Sequence, residues 1–379
     1  MTREKWARYR YSSTPPLTKM AFPNQISTAE DLVRAFSAGN HMVLLFAQMQ
    51  SGKTGTFLET ARQLLSSGSI RKTIFMCGSP AVDLHEQLVN DVKTQGLFEN
   101  NVFKLHDMRE RVAAPKKKTL IVWDEAHYGS KRGNIIPDWF RRKGLDTVEK
   151  MREKQVYLLM VSATPFDLAF APQATVKMVP PSEYRGVEHY LENIRENNNE
   201  NFIQVLNDEY EPHKYGLVRV SKALTEDTVI KSVLNFNSTH SSEWKIITYY
   251  PEGGKLRNFS NIVRVLSRRP KNPTLILIKG RCRMGNVLPK QNLKFVYETT
   301  DVPNTTSILQ SLLGRVCGYH RENISVYLPS IMVTMGKTIP RSMRSDAEMI
   351  KKTEIDVYLW AFRKEELPER VRKSKMYIL

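Results

Sequence analysis

The segment AQMQSGKT, Ala47–Thr54, holds residue types that bind a chain of phosphates. It follows an apolar run, HMVLLFAQ, and opens a stretch with helical signals from about Lys53 to Ser66. Gly52 lets the backbone approach an anion closely, and successive N–H groups at a helix start hold it. Lys53 supplies charge for the outer phosphates, and Thr54 offers a hydroxyl to Mg²⁺. Gln48, Met49, Gln50 and Ser51 form the turn that cradles the anion. The spacing is that of a P-loop with Ala47 at the first glycine position. Further on, TLIVWDEAH (Thr119–His127) ends an apolar strand in two carboxylates. Asp124 is placed to hold Mg²⁺ through its water shell. Glu125 is placed to orient and deprotonate an attacking water.

Such residues need a scaffold that gathers strand ends. From residue 28 the sequence alternates. Ala29–Ser37 predicts an amphipathic helix, Thr73–Gly78 a buried strand, Val82–Val92 a helix, and Val156–Thr164 another buried strand. Continuous apolar strands separated by helices predict a parallel sheet covered on both faces. Residues 181–212, with Pro181 and Asn197–Asn199, interrupt the rhythm and predict a linker or insert. A second alternating segment follows. Its strands are Gly216–Val220, Trp244–Tyr250, Thr274–Gly280 and Leu293–Thr299; its helices are Thr225–Phe236, Lys255–Leu266 and Ser307–Leu313. The organisation expected is a basic arm (1–21), a first lobe (22–180), the linker or insert (181–212), a second lobe (213–330) and a C-terminal extension (331–379).

The chain has 57 Lys and Arg against 39 Asp and Glu, a net charge of +18 over 379 residues, which attracts polyanions. Arg3, Lys5, Arg8 and Arg10 interleave with Trp6, Tyr9 and Tyr11, which suits phosphates and stacked bases. A frayed terminus explains the same residues. Cys77, Cys282 and Cys317 have no metal-ligand spacing and point to a reducing, cytoplasmic compartment. The basic N-terminus lacks the apolar core of a secretory signal. No apolar run approaches the roughly 20 residues that span a bilayer, so no membrane partner is expected.

The order AQMQSGKT, DEAH (Asp124–His127) and SATP (Ser162–Pro165) resembles that of the superfamily 2 helicases. In the second half, IKGRCRMG (Ile278–Gly285) resembles their motif five. LLGRVCGYHR (Leu312–Arg321) resembles motif six, which supplies arginine fingers. FPNQ (Phe22–Gln25) is similar to an upstream motif in which an aromatic stacks on adenine and a Gln reads its edge. GSP (Gly78–Pro80) is similar to a motif that grips a nucleic-acid phosphate, and GLVRV to the strand carrying motif four. The resemblance covers about residues 20–330 and is closest to small helicases of phages and large DNA viruses.

That resemblance implies an α/β fold of two RecA-like parallel-sheet lobes, with ATP and Mg²⁺ in the cleft between them. It implies Arg315 as the first finger and Gly285 near the nucleotide. Ser79, Pro80 and Arg219 would face nucleic acid. His127, Ser162, Thr164 and Gln310 would couple ATP state to grip. The activity implied is a nucleic-acid-stimulated ATPase, a helicase or translocase on DNA rather than RNA. Partners in replication, recombination or repair, and a virus-encoded protein inside a host cell, belong to the same expectation. A motor subunit of a defence or restriction-type complex and a P-loop transferase are the alternatives.

The pattern departs from the family at three places. Ser311 holds the place usual for a Gln, with Gln310 one residue earlier. Gly318 stands where a second finger usually lies, which leaves Arg321 as its substitute. The Asp that usually follows the motif-five glycine is missing, Asn286 and Val287 being there instead. These points bear on finger geometry more than on ATP binding.

Overall fold

Helix α1 (Pro23–Ser37) leads into β1 (Met42–Ala47), all six of whose residues are buried. Then come α2 (Lys53–Ser66), β2 (Lys72–Cys77), α3 (Val82–Thr94), β3 (Val102–Phe103), β4 (Thr119–Asp124), α4 (Ile135–Arg142), α5 (Val148–Lys154), β5 (Val156–Ser162) and β6 (Ala174–Met178). Met42, Leu44 and Phe46 enter one apolar cluster, while Val43, Leu45 and Ala47 enter another. Side chains of successive strand residues point to opposite faces, so an all-apolar strand fills a core on each side of its sheet. The sheet order is β3-β2-β4-β5-β1-β6, with every pair parallel.

This computed structural model describes residues 21–329, apart from 79–81, 98–100, 109–111, 128–133, 164–167, 192–193, 241–242, 252–258, 260, 283–286 and 300–308. Beyond β6 lie β7 (Tyr184–Arg185), α6 (Val187–Leu191), β8 (Arg195–Glu196), α7 (Phe202–Asp208), β9 (Tyr215–Arg219), α8 (Glu226–Thr239), β10 (Lys245–Tyr249), α9 (Ile262–Leu266), β11 (Thr274–Ile278), β12 (Leu293–Tyr297), β13 (Gly318–Tyr319) and β14 (Ser325–Leu328). The second sheet runs β10-β11-β9-β12-β14-β8, again with parallel pairs. Two parallel six-stranded sheets in one α/β chain are the two RecA-like lobes expected.

Segment 181–212 packs on the second lobe. Its β8 is the edge strand beside β14. Phe202, Val205 and Leu206, spaced i, i+3, i+4, bury one face of α7 in the cluster that holds Val229, Val233 and Phe236 of α8. β7 pairs antiparallel with β13. The lobes also share apolar contacts: Met49 and Ala163 of the first join Val187, Leu217 and Val316 in one cluster.

Two expected helices, Lys255–Leu266 and Ser307–Leu313, begin outside the described residues. α9 starts at Ile262 because the Asn261 side chain accepts from Arg264 N at 2.8 Å and caps the helix there. Between Leu309 and Leu313 the chain turns widely, with Ser311 out of helical conformation (φ −91°, ψ −134°), before one short turn at Gly314–Val316. Tertiary bonds hold that kink: Ser311 Oγ accepts from Arg219, and Leu312 N donates to Glu298 Oε2 at 3.1 Å. Among the described residues, no helix is long and apolar enough to cross a membrane. The three cysteines are buried, and none forms a disulfide.

Candidate active site

In-register parallel strands bring four strand ends to one edge of the first sheet. Phe46 pairs with Ser162, and Asp124 with Val161 and Cys77. The loops leaving β1, β4 and β5 therefore converge at the carboxyl edge, where open α/β sheets bind ligands. Gly52, the residue before α2, has φ +103°, a conformation that L side chains rarely adopt. A cavity of about 670 Å³ opens here, lined by Lys53, Thr54, Asp124 and Glu125 from the first lobe and by Arg315 and Arg321 from the second. That size is typical of small-molecule sites.

The charges are arranged for anion chemistry. Lys53 Nζ lies 3.8 Å from Glu125 Oε1. Burial pushes the Glu125 carboxyl up, but Lys53, His127 and Arg315 outweigh it and leave it below the usual carboxylate range. Asp124 goes the other way: burial and the neighbouring Glu125 charge push it up to about 7. Glu125 N donates to Asp124 Oδ1 at 3.0 Å, and Glu125 itself has φ +53°, a strained conformation for a residue with a Cβ. Such strain gathers at functional sites. His127 Nδ1 lies 2.8 Å from Ser162 Oγ, tying the acidic strand end to the end of β5.

The remaining expected residues divide. Phe22 is 60% exposed on the cavity wall, its ring open to a flat partner. Gln25 also lines the cavity, but its amide is bonded on both ends. Oε1 accepts from Phe22 N and Nε2 donates to Gly52 O, each at 2.9 Å, so it holds α1 on the P-loop. Gln50 and Met49 line the cavity, Met49 with its side chain in the apolar cluster shared by the lobes. The Ser51 side chain is not a phosphate ligand here, because it is buried and donates to Gln48 O. Gln48 lies outside the cavity lining, against the position that a Cβ on Gly186 would take.

Arg219 corrects an expectation. The resemblance implies that it contacts nucleic acid, yet its guanidinium is buried. Nε lies 2.6 Å from Glu298 Oε1, and the other nitrogens donate to the carbonyls of Arg281 and Cys282 and to Ser311 Oγ. Buried against a carboxylate, with both terminal nitrogens bonded inside the lobe, the guanidinium offers no free edge to a phosphate. Ser79, Pro80, Thr164 and Gly285 lie outside the described residues, as does the Gln310 side chain. Two second-lobe residues absent from the sequence-based set also touch the site. Tyr319 OH donates to Ser51 O at 2.8 Å, and Lys290 Nζ donates to Gln50 Oε1 at 2.6 Å. Tyr319 lies inside the motif-six segment; no spacing marks Lys290.

Gly78, at the end of β2, is required by close approach. A Cβ there would stand 2.7 Å from Glu125 O, 2.8 Å from Asp124 O and 2.9 Å from Trp123 Nε1. Backbone cannot give way as a flexible side chain does. Gly78→Ala is expected to cost about 1–3 kcal/mol of stability and to displace both carboxylates. Thermal melting and ATP turnover of the variant check this; an unchanged melting temperature with unchanged turnover would contradict it.

No family model matches the chain. An uncharacterized protein of Acanthamoeba polyphaga mimivirus is 25% identical over 331 residues, spanning 79% of this chain and 82% of the relative. Similar solved structures include S. cerevisiae Dbp5 bound to RNA and ADP BeF3, with TM-score 0.44 and 16% identity over 91% of this chain and 92% of that one. The NS3-like helicase from Alongshan virus has TM-score 0.47 and 12% identity over 85% and 89%. Mycobacterium smegmatis helicase Lhr bound to ssDNA and AMP-PNP has TM-score 0.46 and 12% identity, over 88% of this chain and 48% of that one.

Proposed function

We propose that this protein is an ATP-hydrolysing motor that moves along or remodels nucleic acid, DNA in preference to RNA. The observation that carries the reading is a single cavity lined by a P-loop lysine and two carboxylates from one lobe and by two arginines from the other. In a transferase with one catalytic lobe, Arg315 and Arg321 would have no counterpart. Two lobes that share one ATP site turn binding and hydrolysis into relative motion. The preference for DNA rests on the sequence resemblance to helicases of phages and large DNA viruses.

The residues divide the work by position. The exposed Phe22 ring is available to stack on a base. The P-loop and Lys53 bind the phosphates, and Glu125, ionised beside Lys53, takes the proton of the attacking water. Arg315 stabilises charge on the transferred phosphoryl group. The Thr54 hydroxyl and the Asp124 carboxylate are hard oxygen donors on the cavity wall, a set that fits Mg²⁺ with waters and phosphates completing its shell. Bound there, Mg²⁺ would neutralise phosphate charge. The His127–Ser162 bond is the path we assign to coupling between the acidic strand end and the nucleic-acid grip.

The test is ATP turnover measured against single-stranded DNA, duplex, forks and RNA. DNA is expected to raise turnover most, and turnover indifferent to every nucleic acid would remove the motor reading. With a net charge of +18, binding is expected to weaken steeply with salt. Each phosphate contact adds about 0.7–0.9 to the slope of log affinity against log salt. A flat titration would place binding somewhere other than the basic surface.

A further inference from the structure

Lys290, on the loop before β12, lines the ATP cavity and is only 8% exposed. Burying an ammonium is unfavourable unless a group inside bonds it. The group that does so is a P-loop side chain, Gln50, whose Oε1 accepts from Lys290 Nζ at 2.6 Å. Among the described residues no carboxylate pairs with Lys290, and burial pushes its ammonium down to about 8. At its other end Gln50 Nε2 donates to Gly314 O at 3.1 Å and to Arg315 O at 3.2 Å. One amide of the first lobe is thus held between a cation of the second lobe and the backbone that carries Arg315.

The chemistry of the three groups sets the amide's orientation. An ammonium only donates, so the Gln50 oxygen must face it. The NH₂ group then faces the two carbonyls, which only accept. A cation on the oxygen also polarises the amide and strengthens its N–H groups as donors. Gly318 lies beside the pair, and its backbone conformation, not the space, favours glycine. It has φ +128°, and a Cβ there would stand 3.5 Å from Lys290 Nζ and 3.6 Å from Gln50 Oε1. On either side of Gln50 the P-loop backbone is bonded as well, Met49 O by Tyr184 OH and Ser51 O by Tyr319 OH.

We propose that Lys290 is a positioning residue: by orienting the Gln50 amide it seats the Arg315 segment of the second lobe on the P-loop. This rests on the ATPase reading above. Lys290 touches no reacting atom in this role; it fixes where the guanidinium stands when the phosphates are bound.

Lys290→Met keeps the length and apolar stem and removes the donor. In the full chain it is expected to lower kcat for ATP by on the order of 10–100-fold, the scale of a small misplacement. KM and the affinity for a fluorescent ATP analogue should stay within about twofold, since ground-state contacts are untouched. Lys290→Arg, which also only donates, should recover most of the loss. Gln50→Leu cuts the same link from the first lobe, and the double variant should be no slower than either single one. Melting temperatures are read on the same samples; if Lys290→Met does not fold, Gln50→Leu and Lys290→Arg carry the comparison. Wild-type kcat in either Lys290→Met or Gln50→Leu overturns the proposal. So does a raised KM at unchanged kcat, which would make Lys290 a ground-state phosphate contact, or additive losses in the double variant. If the unsubstituted protein turns over no ATP, both readings fall, whereas equal kcat in wild type and variant removes the positioning role alone.

Discussion

Arg315→Lys should bind ATP nearly as the unsubstituted protein does, yet lose nucleic-acid-stimulated turnover by on the order of 10³–10⁵, the range that arginine fingers contribute. Arg315 is 4% exposed, on the cavity wall opposite the P-loop lobe. Burial pulls its pKa down and the Glu125 charge works against that. A guanidinium stays charged even so, and its planar fork can meet two phosphoryl oxygens at once, which a lysine cannot do. The competing explanation is an arginine that only holds its own lobe together. In that case the variant melts earlier and loses turnover only in proportion to unfolding. Melting and stimulated turnover on one sample decide between them, and normal melting with normal turnover removes Arg315 from the site. Arg321→Lys serves as the internal comparison. It lines the same cavity but is solvent-exposed, and a milder loss is expected.

Glu125→Gln should keep nucleotide binding and hydrolyse ATP about 10²–10⁴-fold more slowly, the usual contribution of a general base. In the proposed function the phosphate contacts belong to the P-loop, which the substitution leaves in place. It also removes a negative charge from among Lys53, His127 and Arg315, so binding of an anionic nucleotide should hold or tighten. Gln can keep the backbone at φ +53° as Glu does, which makes refolding of the strand end an unneeded explanation. Measured binding of an ATP analogue beside steady-state turnover checks this. Binding lost together with turnover would mean that Glu125 shapes the site instead of acting in it.

The parts of the site legible in the sequence are those built from consecutive residues. A P-loop is one strand, one turn and one helix start, and its anion chemistry lies in neighbouring backbone N–H groups. The acidic pair is likewise the end of one strand. β1, β2, β4 and β5 were legible because both faces of each are covered, which writes an unbroken apolar run. Arg315 was legible only as part of a familiar motif order; its place opposite Lys53 needed both lobes.

What the tertiary structure alone decided lies in partners far apart along the chain. Arg219 at the end of a strand looks the same in sequence whether it faces a phosphate or a carboxylate. Glu298, brought beside it on the neighbouring strand β12 and its exit, made it an internal residue. Ser311 sits in a helical pattern, yet it leaves helical conformation where its hydroxyl accepts from Arg219. Lys290 stands 240 residues from Gln50 and reads as an ordinary surface lysine until the lobes close on each other. Hydrophobic period encodes which face of an element is buried, whereas the identity of what covers that face is set by packing between elements. The chemistry of each lobe was therefore written locally, and the joining of the two into one site was not.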